Sequence, residues 1–444
     1  MALTGLEIYK LLPKTNCGQC GVATCLAFAM KLAQKQASLD QCPHVTEQAK
    51  EALAGAAQPP IKLVTIGGGE KKLAIGNETV LFRHEETFHH PAGIAVLVDA
   101  ALAEGELLAR VQQINSTAYE RVGQHIEVNL IAVRGAGEAL VTAAEKVAAN
   151  SALPLILMSE DAGAMEKALE KVGANKPLIY AATAANVEAM AALAKKFACP
   201  LAIKADSLEA LAALSEKAQS LGAAELVLDS GAREPVKVLA DQTAIRRAAL
   251  RKKFRPLGFP TICFPQGKNG AEEALQAAGY VAKYAGIVVL EQAEVWEMLP
   301  LMTARQNIYT DPQKPIQLEA GLYQVGAPDE NSPVLVTTNF SLTYFTVEGD
   351  VDASKVPSWV VVVNTEGTSV LTAWASDKFN AESIAANIKQ TGIEEKVKHR
   401  KVIIPGYVAV LSGKLEELSG WKVLVGPRES SGIPSFLKNT WSAA

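Results

Sequence analysis

Between Ile94 and Glu291 the chain repeats one unit: a short β-branched apolar run, a polar loop, then an alanine-rich stretch of helical period. The runs are Ile94–Asp99, Ile126–Arg134, Leu155–Glu160, Pro177–Thr183, Pro200–Asp206, Glu225–Asp229, Pro260–Pro265 and Gly286–Glu291. They are largely continuous rather than alternating, as expected of parallel strands covered on both faces. Eight such strands, each followed by a helix, predict a TIM (β/α)8 barrel over residues 93–310, with a doubly wound open sheet as the competing architecture.

The flanks follow different rules. Leu3, Leu6, Ile8, Leu11 and Leu12 are spaced as one face of a short helix, and a second helix is expected from Leu26 to Ala37. The stretch Ala54-Gly55-Ala56-Ala57-Gln58-Pro59-Pro60-Ile61-Lys62 breaks regular structure and sets a boundary between a domain at 1–58 and a linker with small strands at 59–92. A turn-rich linker at 311–332 leads into a new α/β pattern over 333–444. Its strand candidates are Val334–Thr338, Trp359–Asn364, Lys401–Ile404 and Trp421–Val425, and short parallel strands of this kind predict a doubly wound sheet with a ligand crevice at its carboxyl edge.

With 444 residues, 49% hydrophobic, 20% charged and a formal net charge of −4, the composition fits a multidomain α/β protein. The near-neutral balance argues against nucleic acid as a partner, and the lack of a long apolar run argues against a membrane span. No basic and apolar leader pattern follows Met1, so the expected compartment is the cytoplasm. The densest basic run, Arg246–Lys253, is expected to be a solvated helix face.

Four of the six cysteines, Cys17, Cys20, Cys25 and Cys42, crowd into the amino-terminal domain as C-x2-C-x4-C-x16-C. Three thiolates in one tight loop and a distant fourth followed by Pro43 suit a 4Fe–4S cluster. Structural zinc more often uses two separated C-x2-C pairs, and a disulfide suits a secreted chain; both remain alternatives. Gly18 and Gly21 would let the loop turn its amides toward sulfur. Cys199 and Cys263 lie in apolar runs and are expected to be buried thiols; His84, His89 and His90 are expected to sit on a solvated loop, with metal binding as the alternative.

Barrel sites occupy the carboxyl ends of strands, which points to Asp99, Arg134, Asp161, Asp206 and Asp229 as residues for a polar substrate such as a pterin, although such mouths are polar in any case. In the carboxyl-terminal domain the post-strand loops 339–344, 365–373, 405–407 and 426–432 are rich in hydroxyls and glycine. They suit a large ligand bearing amides and a phosphate, and equally suit plain helix capping.

Thr337-Thr338-Asn339-Phe340-Ser341-Leu342-Thr343-Tyr344, Ser369-Val370-Leu371-Thr372-Ala373 and Val425-Gly426-Pro427-Arg428-Glu429 break that tie. Together with Leu3–Lys10 and Asn16–Gly21, they make the whole chain resemble the large subunit of the corrinoid iron-sulfur protein of the anaerobic acetyl-CoA (Wood–Ljungdahl) pathway. The resemblance implies a Rossmann-like corrinoid domain at 333–444. It also implies a methyl carrier, whose Co(I) accepts methyl from methyltetrahydrofolate bound to a separate methyltransferase and delivers it to acetyl-CoA synthase. The 4Fe–4S cluster on Cys17, Cys20, Cys25 and Cys42 would return lost Co(II) to Co(I).

Corrinoid contacts are expected from Thr338, Asn339, Ser341, Thr343, Tyr344, Gly367, Thr368, Ser369, Val370, Leu371, Thr372, Ala373, Gly406, Arg428, Glu429, Ser430 and Ser431. None of the six histidines stands in an Asp-x-His-x-x-Gly arrangement, so the cobamide is expected base-off, with no protein histidine on cobalt. The implied partners are a small subunit forming a heterodimer, the methyltransferase, acetyl-CoA synthase and a reductive activator. The alternatives are a pterin-dependent methyltransferase acting through its own barrel and an iron-sulfur electron carrier without corrinoid. The Asp311 to Pro333 connection is the expected hinge of the corrinoid domain.

Overall fold

The computed structural model describes residues 5–33, 37, 41–46, 59–291, 294–312 and 315–443. Contacts divide the chain into two compact units, residues 1–118 with 127–309 and residues 119–126 with 310–444.

The first unit begins with the helices Gly5–Leu11 and Cys25–Ala33. They close over Ile8, Leu12, Cys25, Phe28, Ala29, Cys42 and Val45. The expected second helix starts one residue early; positions 34–36 of its span, and most of the expected 54–62 boundary, lie outside the described residues. Next comes an antiparallel pair, β1 (Val64–Ile66) and β2 (Leu73–Ile75).

All eight expected barrel strands form: β3 (Gly93–Asp99), β6 (Leu130–Arg134), β7 (Leu155–Met158), β8 (Leu178–Ala182), β9 (Leu201–Lys204), β10 (Leu226–Asp229), β11 (Ile262–Cys263) and β12 (Ile287–Leu290). They pair in parallel in the order β10-β9-β8-β7-β6-β3-β12-β11. The two ends meet through a bridge between Leu228 and Thr261, where Leu228 N donates to Pro260 O at 2.8 Å. The sheet is therefore a nearly closed barrel rather than an open doubly wound sheet. Inward-pointing Ala95, Ala132, Ile156, Ala202, Val227 and Val289 fill it, and Val64, Ile66 and Ile75 join the same cluster. The antiparallel pair is thus a plug for the barrel core.

Two local readings change. The run Ile126–Arg134 is not one strand. Its first residues belong to a hairpin of β4 (Ala118–Arg121) and β5 (Gln124–Glu127), and the break falls at Asn129, whose side chain accepts from Ile94 N at 3.1 Å. The basic run is not wholly solvated either, because Arg246 is buried. Its guanidinium bonds Glu78 at 3.0 Å and lies between the rings of Phe88 and Tyr284, at 5.1 and 4.8 Å from their centroids.

The second unit carries a five-stranded sheet in the order β13-β15-β14-β16-β17. β14 (Val334–Thr338), β15 (Ser358–Val363), β16 (Lys401–Ile404) and β17 (Lys422–Val425) run parallel. β13 (Gly321–Val325) is an antiparallel edge strand, drawn from the stretch read as linker.

Side chains alternate across this sheet, as the pleat requires. Val334, Val336, Val361, Val363, Val402 and Ile404 pack on one face with Ala373, Phe379, Ile384 and Leu415. Leu335, Val360, Val362 and Ile403 pack on the other with Tyr344, Val351, Ile433 and Leu437. Among the described residues no helix is long and apolar enough to cross a membrane.

Candidate functional site

The cysteine loop is built on left-handed backbone: Asn16, Gly18 and Gly21 have φ of 50°, 73° and 76°. Asn16 joins the loop to the following helix twice, its Oδ1 accepting from Cys25 N at 2.8 Å and its own N–H pointing at Cys25 Sγ at 3.4 Å. All four cysteines are free thiols, with Cys25 and Cys42 buried, Cys20 half-buried and Cys17 exposed. The Gln19 N–H, then the Thr15 hydroxyl, hold the Cys17 thiol below its ordinary pKa, which favours the thiolate a metal needs. The structure gathers Cys20, Cys25 and Cys42 into one small core. Among the described residues it does not bring three His, Cys, Asp or Glu side chains close enough to hold a single metal ion. The donor set, four unpaired thiols with backbone N–H groups turned toward sulfur, fits an iron-sulfur cluster.

Three of the expected barrel-mouth carboxylates, Asp229, Asp161 and Asp99, are spent on internal bonds. Asp229 accepts from Tyr180 Oη at 2.7 Å, from Arg233 at 2.9 and 3.1 Å, and from Gly231 N at 2.9 Å. Burial, then the Asp229 charge, drives the Tyr180 phenol well above its usual pKa. Asp161 caps the helix Ala162–Val172 through Gly163 N, while Asp99 accepts from Ala101 N and pairs with Arg134 at 3.0 Å. Asp206 lines an open groove of 790 Å³ with Glu160, Lys204 and Ser207. Cys199 and Cys263 are buried, and burial pushes the Cys199 thiol up to about 12. His90 bonds the Gly76 carbonyl, His89 pairs with Glu86 and His84 stacks on Phe82, so the three do not converge.

The carboxyl edge of the second sheet is different. The strand order reverses between β14 and β16, the position at which loops of doubly wound sheets diverge to form a crevice. Thr338 ends β14 with no exposure, and its Oγ1 has no hydrogen-bond partner; the same is true of Thr337 Oγ1, which points to the opposite face. The helix Val370–Ala375 begins beside this edge, where Ser369 Oγ donates to Thr372 Oγ1 at 3.1 Å and Thr372 and Leu371 are exposed.

On the far side, Gly406 lets two loops touch: a Cβ there would stand 2.6 Å from Gly426 O and 2.8 Å from Arg428 N. Gly406 N donates to Pro427 O at 3.0 Å, and Tyr407 Oη to Glu429 at 2.6 Å. Leu342, Leu371, Trp374, Tyr407, Val410 and Val425 leave large apolar surface exposed on and just beyond these loops. An unspent buried hydroxyl and exposed apolar groups fit a large, partly apolar ligand carrying polar groups.

Not every expected contact faces that crevice. Tyr344 is a core residue, packed against Tyr323 and Phe345 with its hydroxyl 3.4 Å from Glu348, and Ala373 is buried in the core of the opposite face. Ser341 is buried, and its N–H donates to Ile316 O at 3.0 Å. Thr368 Oγ1 donates to Thr365 O at 2.7 Å. Asn339 is bonded on every side within the protein. Thr343 and Val370 are half-buried, Gly367 is buried with φ of 71°, and Arg428, Glu429 and Ser431 are exposed beside half-buried Ser430. Residues 316–318, which sequence reasoning left in the linker, form a wall here, Gln317 bridging to Phe340.

Comparisons with known proteins identify the family of the chain. The family model for the CO dehydrogenase/acetyl-CoA synthase delta subunit matches residues 63–437, and one for a putative Fe-S cluster matches residues 12–44. The chain is 52% identical to the corrinoid/iron-sulfur protein large subunit of Moorella thermoacetica over 99% of both chains. It is 40% identical to the acetyl-CoA decarbonylase/synthase complex subunit gamma of Methanothermobacter thermautotrophicus, over 98% of this chain and 99% of that one. Among solved structures, dihydropteroate synthase from Yersinia pestis superposes on 49% of this chain and 92% of its own with a TM-score of 0.36 and 14% identity, too distant to bear on function. The chain belongs to the family of corrinoid/iron-sulfur protein large subunits, which takes in the gamma subunits of the archaeal acetyl-CoA decarbonylase/synthase complexes.

Proposed function

We propose that this chain is a methyl-carrying subunit that holds a 4Fe–4S cluster on Cys17, Cys20, Cys25 and Cys42 and a base-off corrinoid at the carboxyl edge of a Rossmann-like domain over residues 333–444. The observation that supports it most is the match along the full length of a corrinoid/iron-sulfur protein large subunit. When bound, the corrinoid supplies a cobalt that takes up and gives up a methyl group, and the cluster supplies the low-potential electron that restores it after oxidation.

The chain's own residues do the holding. The Thr338 hydroxyl, the Ser369 and Thr372 hydroxyls and the amides opening the helix Val370–Ala375 meet carboxamide oxygens, while the Arg428–Ser431 loop meets the phosphate of the tail. No histidine lies on the loops 339–344, 364–373, 405–410 or 426–432, so these loops would offer a bound cobalt no imidazole. Exposed Trp374, Tyr407 and Val410 exclude water from the macrocycle once a partner covers them.

Methyl groups arrive from methyltetrahydrofolate through a separate methyltransferase and leave to acetyl-CoA synthase, with a small subunit as heterodimer partner and an activator supplying electrons. The test is metal analysis and visible absorbance of the chain co-expressed with its small subunit and purified without oxygen. About four iron and one cobalt per heterodimer, with a spectrum that changes on reduction, supports the carrier. Iron without cobalt, despite an ample cobamide supply, leaves only electron transfer.

A further inference from the structure

We propose that Asn339 is a positioning residue: it does not touch the cofactor but clamps the Thr365–Ser369 loop to residues 316–318. The inference rests on the corrinoid reading above. Asn339 is the first residue past β14 and is 3% exposed. Its Oδ1 accepts from Thr365 N at 2.9 Å and Gly367 N at 3.1 Å, with the Thr365 hydroxyl at 3.0 Å. Its Nδ2 faces Gln317 Oε1 at 3.1 Å, Leu318 O at 3.2 Å and Asn364 Oδ1 at 3.3 Å. A primary amide offers two lone pairs and two N–H groups, so these partners exhaust it.

The main chain makes the same junction. Asn339 N donates to Val363 O at 2.9 Å, Asn339 O accepts from Leu318 N at 2.9 Å, and Ser341 N donates to Ile316 O at 3.0 Å. One residue thereby ties β14, the end of β15 and the segment entering this unit.

The loop it holds has an unusual backbone. Glu366 and Gly367 have φ of 54° and 71°, and a Cβ on Gly367 would stand 3.2 Å from Gln317 Cβ and from Pro315 O. The N–H groups of Thr365 and Gly367 both end on the Asn339 oxygen. Two residues beyond Gly367 lies Ser369, the cap position of the helix Val370–Ala375, so the clamp sets where that helix start and Thr372 stand. Residues 316–318, part of the span expected to be the hinge, are thereby bonded into this unit.

The amide is needed as an amide. Aspartate at 339 would keep an acceptor for Thr365 and Gly367 but lose the donor toward Gln317 and Leu318; alanine would lose both. The test uses the full chain in complex with its small subunit, read by hydrogen–deuterium exchange mass spectrometry and by the visible spectrum and retention of added cobamide. With Asn339→Ala, peptides covering 364–370 are expected to exchange at least tenfold faster while β15 peptides covering 358–363 keep their rate, and cobamide retention falls with an altered spectrum. With Asn339→Asp, the 364–370 peptides stay protected and those covering 315–319 lose protection.

Unchanged exchange at 364–370 in Asn339→Ala overturns the clamp, as does a loosened loop with an unaltered cobamide spectrum and retention. A uniform rise across the sheet overturns it too, because it marks general destabilisation. If Asn339→Ala does not fold, Asn339→Asp decides by the same peptides. A wild-type complex that takes up no cobamide sinks the corrinoid reading, while the exchange rates still judge the clamp.

Discussion

Thr338→Val is expected to raise the stability of the cofactor-free chain and weaken its hold on cobamide. Thr338 has no exposure and its hydroxyl has no partner. Valine has nearly the same shape, so the substitution removes a buried polar atom without opening a cavity. A buried hydroxyl left unpaired costs about 1–3 kcal/mol, and the variant should recover about 1 kcal/mol of it. When cobamide is bound the wild-type hydroxyl gains a partner that valine lacks, worth about 1 kcal/mol, or roughly fivefold in affinity. Thr337→Val is the internal control. Its hydroxyl is equally buried and unpaired but points to the face that carries Leu335, so it should stabilise without changing affinity. Urea unfolding read by the buried Trp359 and Trp421, and cobamide titration read by visible absorbance, measure the two quantities. A destabilised Thr338→Val chain, or one with wild-type affinity, refutes the assignment of that hydroxyl to the ligand.

Cys25→Ser should lose most of its iron with the barrel intact, checked by iron analysis beside the far-ultraviolet circular dichroism; full iron content would remove Cys25 from the ligand set. Gly406→Ala drives a Cβ onto Gly426 O and Arg428 N and should cost about 1–3 kcal/mol, whereas Gly349→Ala, with open space in a helix, should be neutral or gain about 0.5–1 kcal/mol; urea midpoints compare them. His399 is buried, its Nε2 bonded to Ser332 O at 2.9 Å and its Nδ1 accepting from Lys401 N at 3.2 Å, so it is held neutral. Burial first, then nearby Lys401 and Arg400, push its pKa below the ordinary value. Its contribution is therefore full above about pH 6.5 and is lost as pH falls from there through the folded value. His399→Gln should flatten the low-pH side of the melting profile, and an identical profile would refute this. Glu78→Ala strands the Arg246 charge between its two rings and should cost about 3–5 kcal/mol, while Glu78→Leu with Arg246→Met should cost much less; additive losses in that double-variant cycle would contradict a coupled pair.

The barrel was legible because each strand is covered on both faces and so is written as an unbroken apolar run. Where other forces act, the pattern fails. Pro260 and Pro265 bracket the strand at Ile262–Cys263 and shorten it to a two-residue pair. The Ile126–Arg134 run hides the end of one strand and the start of another, since only in three dimensions does the Asn129 side chain take the Ile94 N–H. β13 reads as a turn region because Gly321 and exposed Gln324 break the apolar run and Gly326-Ala327-Pro328 follows it. Arg246 disappears into a basic run, although Gln242, Ile245 and Ala249 around it mark the buried face of the same helix. In the loops after the second sheet, sequence shows residue types and not their partners. Asn339 and Thr338 look alike as polar residues after a strand, yet one is saturated and the other unspent.

That difference also separates the two mouths of this protein. Both the barrel and the second sheet end in loops rich in carboxylates, hydroxyls and amides, and either could be read as a site from composition. At the barrel, Asp229 has four donors for its four lone pairs, Asp161 closes a helix and Asp99 serves a turn and Arg134. Such groups hold the fold and have little left to offer a substrate. At the second sheet the conformational work is given to glycines and to one amide: Gly367 supplies the left-handed turn, Gly406 the contact between loops, and Asn339 the tie between them and the entering segment. The hydroxyl of Thr338 is left buried and unpaired, a state that costs stability in the free chain and that the proposed ligand would relieve. A fold that retains that cost at the switch point of its sheet, while committing Asp229, Asp161 and Asp99 of its barrel mouth to internal bonds, agrees with the ligand site proposed for the second unit.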